Sequence, residues 1–532
     1  MEHTVSVAVI GAGYAGIKAA VALKTELQGQ VELVIYEKSG RLGGTWRDCV
    51  YPGAAADSAV HLYSLSTHPN PHWSATHASQ PEIMAYMNDV VEQAGLAPHI
   101  QFHHNFMRAR WDPSRSGYTL EIEDTTTGQI HTSNCHVLIC ATGNFHVPDM
   151  SCMPGIEGFA GELMHTSQWD PEVDLRNKKV AVIGNGASGC QTLPAIAEIE
   201  GVEVTQIFRT PNWMLPSRSR SFNPAAQERF DKYPSLLKAF RWALFWMHEL
   251  AYLMVFGSSF LRTMLTEKLS RNYVRKNAPE KYHSMLLPDY PMGCQRIVFD
   301  VSYLKSLHRE NVKLVKQPVR RLTETGLITG DGQYHDFDII IAATGYISHL
   351  APVEVHGHKS LTLQEYYNRH GGPEAYMGTM VHGFPNLFIL GGPNVTTGYM
   401  SYLFSIDCQL HLVIPLAKRL TRTEFVSFEV TQRASSTYNR TLRRRFKKTV
   451  WNTMAARHFK DPNSGKSTLF FPGCTLLLWW WTRSPRWGDF LINGKEVKRS
   501  RVPCSMLAVF AALFLVATLV VVLVSLDKGR TT

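Results

Sequence analysis

The chain has no C-x-x-C pair. None of its nine cysteines (positions 49, 135, 140, 152, 190, 294, 408, 474 and 504) stands near histidines at metal-ligand spacing. That pattern excludes a structural zinc site and a dithiol reductase. An odd, scattered cysteine count reads as reduced, mostly buried thiols in a cytosolic setting. The 23 histidines show no ligand spacing either, so no metal is expected. No RNA- or DNA-binding signature accompanies the 54 basic and 44 acidic side chains, so nucleic acid is not an expected partner. The resulting charge of +10 still permits contact with anionic lipid or phosphate. Charged residues make up only 18% and hydrophobic residues 45%, a balance that excludes global disorder. No secretory signal is expected, because a few mostly polar residues lead straight into an apolar strand at Val7. A chain of 532 residues has room for two to four domains.

What is present begins with Gly11-Ala-Gly13-Tyr-Ala-Gly16, between an apolar strand and an alanine-rich helical pattern. Glycines at these positions make a tight turn, admit a pyrophosphate to the backbone and let helix and strand pack closely. The pyrophosphate then sits at the helix N-terminus. The next strand ends at Glu37, 26 residues after Gly11, where an acid binds ribose hydroxyls. The pattern recurs as Gly184-Asn-Gly186-Ala-Ser188-Gly189, with Arg209-Thr210 at nearly the same offset. An acid repels a 2′-phosphate and an arginine welcomes it. The first site therefore fits FAD and the second NADPH. Two apolar strands end in Ala-Thr-Gly, at Gly143 and Gly345, and bracket the second unit. The first domain is accordingly read as split, with the second inserted into it. The segment from Phe384 to Asn394 reads as a strand returning to the first sheet.

Two long apolar stretches stand out. Residues 506–526 carry no charge and are long enough to span a bilayer as a helix. Lys495, Lys498, Arg499 and Arg501 precede them, and Lys528 and Arg530 follow. This pattern predicts a single-pass C-terminal anchor with the body facing the cytoplasm, the endoplasmic reticulum being the expected membrane. Residues 242–261 are also apolar and rich in aromatics but contain His248 and Glu249. They are read as a buried or lid helix, with a segment that dips into a membrane as the second reading.

Gly43-Gly-Thr45-Trp46-Arg-Asp-Cys-Val-Tyr51-Pro52-Gly53-Ala-Ala-Ala-Asp57 resembles the N-terminal fingerprint of type I Baeyer–Villiger monooxygenases. Phe159-Ala-Gly161-Glu-Leu-Met-His165-Thr-Ser-Gln-Trp169-Asp170 resembles their second fingerprint. The resemblance covers roughly residues 7 to 475. It implies a cycle in which NADPH reduces FAD, O2 adds to give a C4a-peroxyflavin, and the peroxide attacks a ketone to give an ester or lactone. It assigns the cation beside the anionic peroxide to Arg296, in Pro291-Met-Gly-Cys-Gln295-Arg296, and gives Asp57 the role of orienting it. Thr45, Trp46 and Tyr63 match positions that contact FAD, whereas His165 and Trp169 hold loop and domain geometry. Gln295 replaces a lysine that in many relatives helps hold the NADPH 2′-phosphate, which leaves Arg209 and Thr210 to carry that preference.

The resulting expectation is an α/β flavoprotein with two Rossmann-like dinucleotide-binding domains. The FAD domain spans 1–148 and 336–500. The NADPH domain spans 149–335, with a helical insertion about 220–290, and a transmembrane helix occupies 506–526. The expected partners are a small hydrophobic ketone, O2 and a membrane. The apolar insertion and the anchor favour a hydrophobic substrate, such as a steroid-like or polyketide intermediate of secondary metabolism. Two other readings stand beside it. One is an N- or S-oxygenating flavin monooxygenase. The other is a membrane-tethered flavoprotein without catalysis.

Overall fold

A computed structural model describes residues 4–217, 219–257, 259–347, 353–453, 460–461 and 464–497. The expected anchor at 506–526 lies outside the described residues. Ten strands build two five-stranded parallel sheets. In chain order they are β1 (Val5–Ile10), β2 (Val31–Tyr36), β3 (Ile100–Gln101), β4 (Val137–Cys140), β5 (Glu162–His165), β6 (Lys179–Ile183), β7 (Glu203–Ile207), β8 (Val312–Val315), β9 (Ile339–Ala342) and β10 (Leu387–Ile389). The first sheet runs β10-β4-β1-β2-β3 and the second β8-β7-β6-β9-β5. The central strands β1, β4 and β9 are near-continuous runs of buried Val, Ile, Leu and Ala, as both faces of a parallel sheet are covered.

On one face of the first sheet lie helix α1 (Tyr14–Leu27) and the long helix Tyr402–Leu420. On the other, Ala8, Ile10, Leu138 and Cys140 pack on a four-stranded sheet built from His104–Asp112, Gly117–Asp124, Ile130–Cys135 and Glu354–His356. The second sheet repeats this plan. Helix α2 (Ala187–Ile196) covers one face, and the other packs on the three short strands Val319–Thr323, Gly326–Thr329 and Tyr334–Asp336.

Two expectations are corrected. A boundary at 336 would place β9 in the first domain, but β9 lies between β6 and β5 in the second sheet, so the chain returns to the first sheet only after this strand. The register Ile339↔Val180 puts an apolar strand where both faces are buried, and its four residues are all buried. Of the expected buried or lid helix at 242–261, the buried reading is the one corrected. These residues fall in helix α3 (Pro234–Tyr252), the wide π-type turn Leu253–Gly257 that continues it, and the short helix Ser259–Leu261. Trp242 and Phe260 are 53% and 69% exposed. Among the described residues no single helix is long and apolar enough to cross a membrane. One pair bent by 96°, Pro234–Gly257 with Ser259–Asn277, meets that length and composition jointly.

Candidate active site at the junction of two glycine loops

Each glycine loop follows the central strand of its sheet, at the point where strand order reverses. Open parallel sheets bind ligands in the crevice at that point. Gly11 has φ +103° and Gly184 φ +107°, a region that costs other residues strain. Each faces the Ala-Thr-Gly turn of the neighbouring strand. A Cβ on Gly11 would sit 2.8 Å from the Ala141 carbonyl oxygen, and one on Gly184 would run into that of Ala343. The two Ala-Thr-Gly turns thus serve two different sheets, which is why β9 belongs with the second. Gly16 and Gly189 pack on the carbonyls of Gly11 and Gly184 respectively.

Both helices that follow begin at a glycine, Gly13 or Gly186, without a side-chain cap and without an acid in the first turn. Their free N–H groups and positive dipole ends suit a diphosphate. No side chain blocks either approach. Gly13 is bordered by Gly44, and a Cβ on Gly186 would meet nothing within 4 Å. The cradles therefore fit the dinucleotides expected from the sequence.

Glu37 stands directly after β2 and is more enclosed than its spacing implies. Its Oε2 accepts from the Ala12 N–H (2.9 Å), and its Oε1 from the Ser39 N–H (3.0 Å) and Arg47 Nη1 (2.8 Å). The carboxylate thereby braces the glycine loop from below. Arg47, itself nearly buried, also forks onto Asp48 through Nε and Nη2 at 2.7 and 2.9 Å. The spacing argument missed Arg47. At the second site Arg209 is exposed and Thr210 half-buried, just beyond β7, and Ser188 lies in the first turn of α2. Buried Gln206 holds the loop by donating to the Gly184 carbonyl (2.9 Å) while accepting from Tyr303 Oη (2.6 Å).

Between the cradles lies the first fingerprint. Trp46 Nε1 donates to Tyr63 Oη at 3.0 Å, and burial pushes the Tyr63 phenol up to about 12. Thr45 Oγ1 donates to the Phe145 carbonyl at 3.3 Å. Asp57 and Arg296, 239 residues apart in the chain, meet directly. Arg296 Nη2 lies 2.7 Å from Asp57 Oδ1 and 2.6 Å from Oδ2. The arginine side chain is 54% exposed and the aspartate 26%. An ion pair this open contributes only about 0–1 kcal/mol to stability. Its consequence is position: one guanidinium nitrogen is held, and Nε and Nη1 have no other partner among the described residues. The loop below is fixed by Trp451 Nε1, which donates to the Gly293 carbonyl at 3.0 Å, and by Phe256, whose ring lies over Gly293.

The fingerprint also latches the two dinucleotide units together. Tyr51 Oη donates to Gln191 Oε1 (2.8 Å), and Gln191 Nε2 donates to the Ala55 carbonyl (3.1 Å). A Cβ on Gly53 would be 2.5 Å from the Gln191 carbonyl oxygen. Cys49, Tyr51 and Ala54 pack with Trp169 and Tyr346. His165 accepts from the Ser167 N–H at 3.1 Å and stacks edge-on to Tyr346, and burial lowers its pKa. Gln191 and Tyr346 gave no sequence signal beyond lying next to the glycine motif and the Ala-Thr-Gly turn. A Gly53→Val substitution should wedge the latch open and destabilise the fold by about 1–3 kcal/mol, as read by urea unfolding of the flavin-loaded protein.

The family described as Flavin-binding monooxygenase-like matches residues 4–355. A Baeyer–Villiger monooxygenase of Pseudomonas aeruginosa is 32% identical over 477 residues, 88% of this chain and 88% of its own. A second, of Streptomyces coelicolor, is 33% identical over 481 residues, 89% and 90% of the two chains. Among solved structures, cyclohexanone monooxygenase in its closed form superposes with a TM-score of 0.79 at 23% identity, covering 93% of this chain and 100% of that one. Steroid monooxygenase bound to NADP gives 0.76 at 24%, covering 92% and 99%. At such identities the structures establish the shared fold.

Proposed function

The chain belongs to the flavin-binding monooxygenase-like family, and on that premise we propose that it is an FAD-dependent monooxygenase that uses NADPH and O2 to convert a hydrophobic ketone into an ester or lactone. The observation that carries this reading is the Asp57–Arg296 pair beside the first fingerprint and between the two cradles. Gly11, Gly13, Gly16 and Glu37 would hold FAD with Thr45, Trp46 and Tyr63. Gly184, Gly186, Ser188, Gly189, Arg209 and Thr210 would hold NADPH. When bound, FAD supplies the activation of O2 and NADPH supplies the hydride.

The chain's own residues do the rest. Arg296 places a permanent positive charge where negative charge develops on oxygen, and arginine keeps that charge at any working pH. Asp57 fixes one edge of the guanidinium and leaves two donor positions for the reacting oxygen. The Tyr51–Gln191 latch keeps the two cradles facing one junction, so hydride donor and acceptor are held in register. The direct test is to supply the full chain with NADPH, O2 and lipophilic ketones. A product heavier by one oxygen atom supports the reading. NADPH consumption that returns only hydrogen peroxide across such a panel counts against it.

Arg209 carries the preference for the phosphorylated nucleotide. Arg209→Ala should raise KM for NADPH about tenfold or more and leave that for NADH nearly unchanged, since a hydrogen bond to a charged group is worth about 1.5–3 kcal/mol. Steady-state kinetics with both nucleotides check this. The uncharged run at 506–526, preceded by basic residues, supports a membrane-tethered body that faces the cytoplasm. Retention of the full chain in the membrane pellet after alkaline carbonate washing tests that tether.

A further inference from the structure

The outer surface of the helical insertion is apolar to a degree nothing in the catalytic account uses. Of the twenty-one large apolar side chains exposed among the described residues, twelve lie between Tyr233 and Leu269. They recur at helical spacing. Met247, Leu250 and Leu253 are exposed on α3 and its π-type continuation, and Leu261, Met264 and Leu265 on the segment after the bend. Soluble monomers rarely leave so many neighbouring apolar side chains in water. The three charged residues within 242–267 all turn away from this side. Glu249 and Arg262 are buried, and the Glu267 side chain is 12% exposed, 3.5 Å from Arg262. Charge returns at the flanks and has one sign: between 238 and 276 the exposed charged side chains are Lys238, Lys268, Arg275 and Lys276.

The inner side is firmly seated. Glu249 accepts from Tyr399 Oη at 2.7 Å and from the Thr475 N–H at 3.1 Å, which caps the helix Thr475–Thr482. Burial raises its pKa. Phe245 stacks on Phe404 with ring centres 5.0 Å apart, and Glu267 Oε1 accepts from the Met292 N–H at 2.9 Å. The apolar outer face is therefore a fixed part of the fold. It lies one helix away from the loop that carries Arg296.

We propose that this outer face is a membrane-docking surface that lies in the headgroup layer of an anionic bilayer. An apolar stripe flanked by lysine and arginine is the pattern of an interfacial helix, and the basic flank selects acidic lipid headgroups. The bend of 96° lets two short helical limbs lie along a surface that neither could cross alone. The uncharged run at 506–526 supplies an independent affinity for the same bilayer. Docking this way leaves one helix between the Arg296 loop and the membrane, the phase in which a lipophilic substrate concentrates. The proposal stands apart from the monooxygenase reading and does not depend on it.

The test uses the full chain in a Cys152→Ser, Cys504→Ser background. One variant carries Phe260→Cys and another Thr127→Cys, at an exposed turn of the four-stranded sheet, each labelled with a polarity-sensitive fluorophore. Phosphatidylserine-containing vesicles should brighten the label at 260, and shallow nitroxide lipids should quench it. The label at 127 should stay unchanged, and pure phosphatidylcholine should give a smaller response. Adding Leu253→Asp and Leu265→Asp should cut quenching at 260 roughly tenfold with flavin content intact. The proposal is overturned if the chain floats with vesicles while the label at 260 stays in water, since the tail alone would then hold the protein. It is equally overturned if that label is shielded without vesicles, since the tail or a second copy would then cover the face, or if both labels respond alike.

Discussion

Replacing Arg296 with alanine should leave flavin bound and still bleached by NADPH, while ester formation falls by about 10²–10³-fold, the usual cost of removing one preorganised donor to a developing oxyanion. The two effects separate because the glycine cradles are built from β1 and β6, whereas Arg296 stands on a loop held by Trp451 and Phe256. NADPH consumed by the variant should appear as hydrogen peroxide instead of ester. Arg296→Lys should recover little. A lysine keeps the charge but cannot hold Asp57 with one nitrogen and present two further donors in a fixed plane. Anaerobic reduction, peroxide assay and product mass together check this. Wild-type ester formation by the alanine variant would remove Arg296 from the chemistry.

A Gly186→Val substitution should disable the second cradle alone. Gly186 has an ordinary φ of −69°, and a Cβ there would meet nothing within 4 Å, so the protein itself tolerates a side chain. The space belongs to the nucleotide diphosphate, which must reach the uncapped start of α2. Thermal stability and FAD content should match wild type. KM for NADPH should rise about a hundredfold, and dithionite should still reduce the flavin. Placing the same substitution at Gly184 would be uninformative, since its φ of +107° and the Ala343 carbonyl already forbid a side chain.

The two cradles were legible because their signals are local. Strand, glycines, helix and the residue closing the next strand all fall within 33 positions, Val5 to Glu37 and Lys179 to Arg209, and each glycine answers one steric demand. The assignment of β9 was not legible. Both Ala-Thr-Gly turns end an apolar strand, and the register that separates them pairs Ile339 with Val180, residues far apart in sequence. Glu37 was found by spacing, yet its enclosure by Arg47 depends on how the Gly43–Gly44 loop folds back over Gly13. The Asp57–Arg296 contact spans 239 residues and came from the family resemblance, not from any local rule. Gln191 and Tyr346 went unmarked because a latch made of one glutamine and one tyrosine has no pattern of its own. Composition marked 242–261 as apolar but carried no information on which side the rest of the fold would cover. Only Phe245, Glu249, Val255 and a few neighbours face inward.

The central claim is oxygen insertion into a ketone at the junction of the two cradles. It is tested most directly by reducing the full-length flavoprotein with NADPH, mixing it with isotopically labelled O2, and following flavin absorbance with a lipophilic ketone or a sulfide present. The account predicts that the ketone accelerates return of the oxidised flavin and is recovered as an ester or lactone carrying one labelled oxygen atom. Return of the flavin at a ketone-independent rate, with hydrogen peroxide as the only product or with the sulfide alone oxidised, would contradict it.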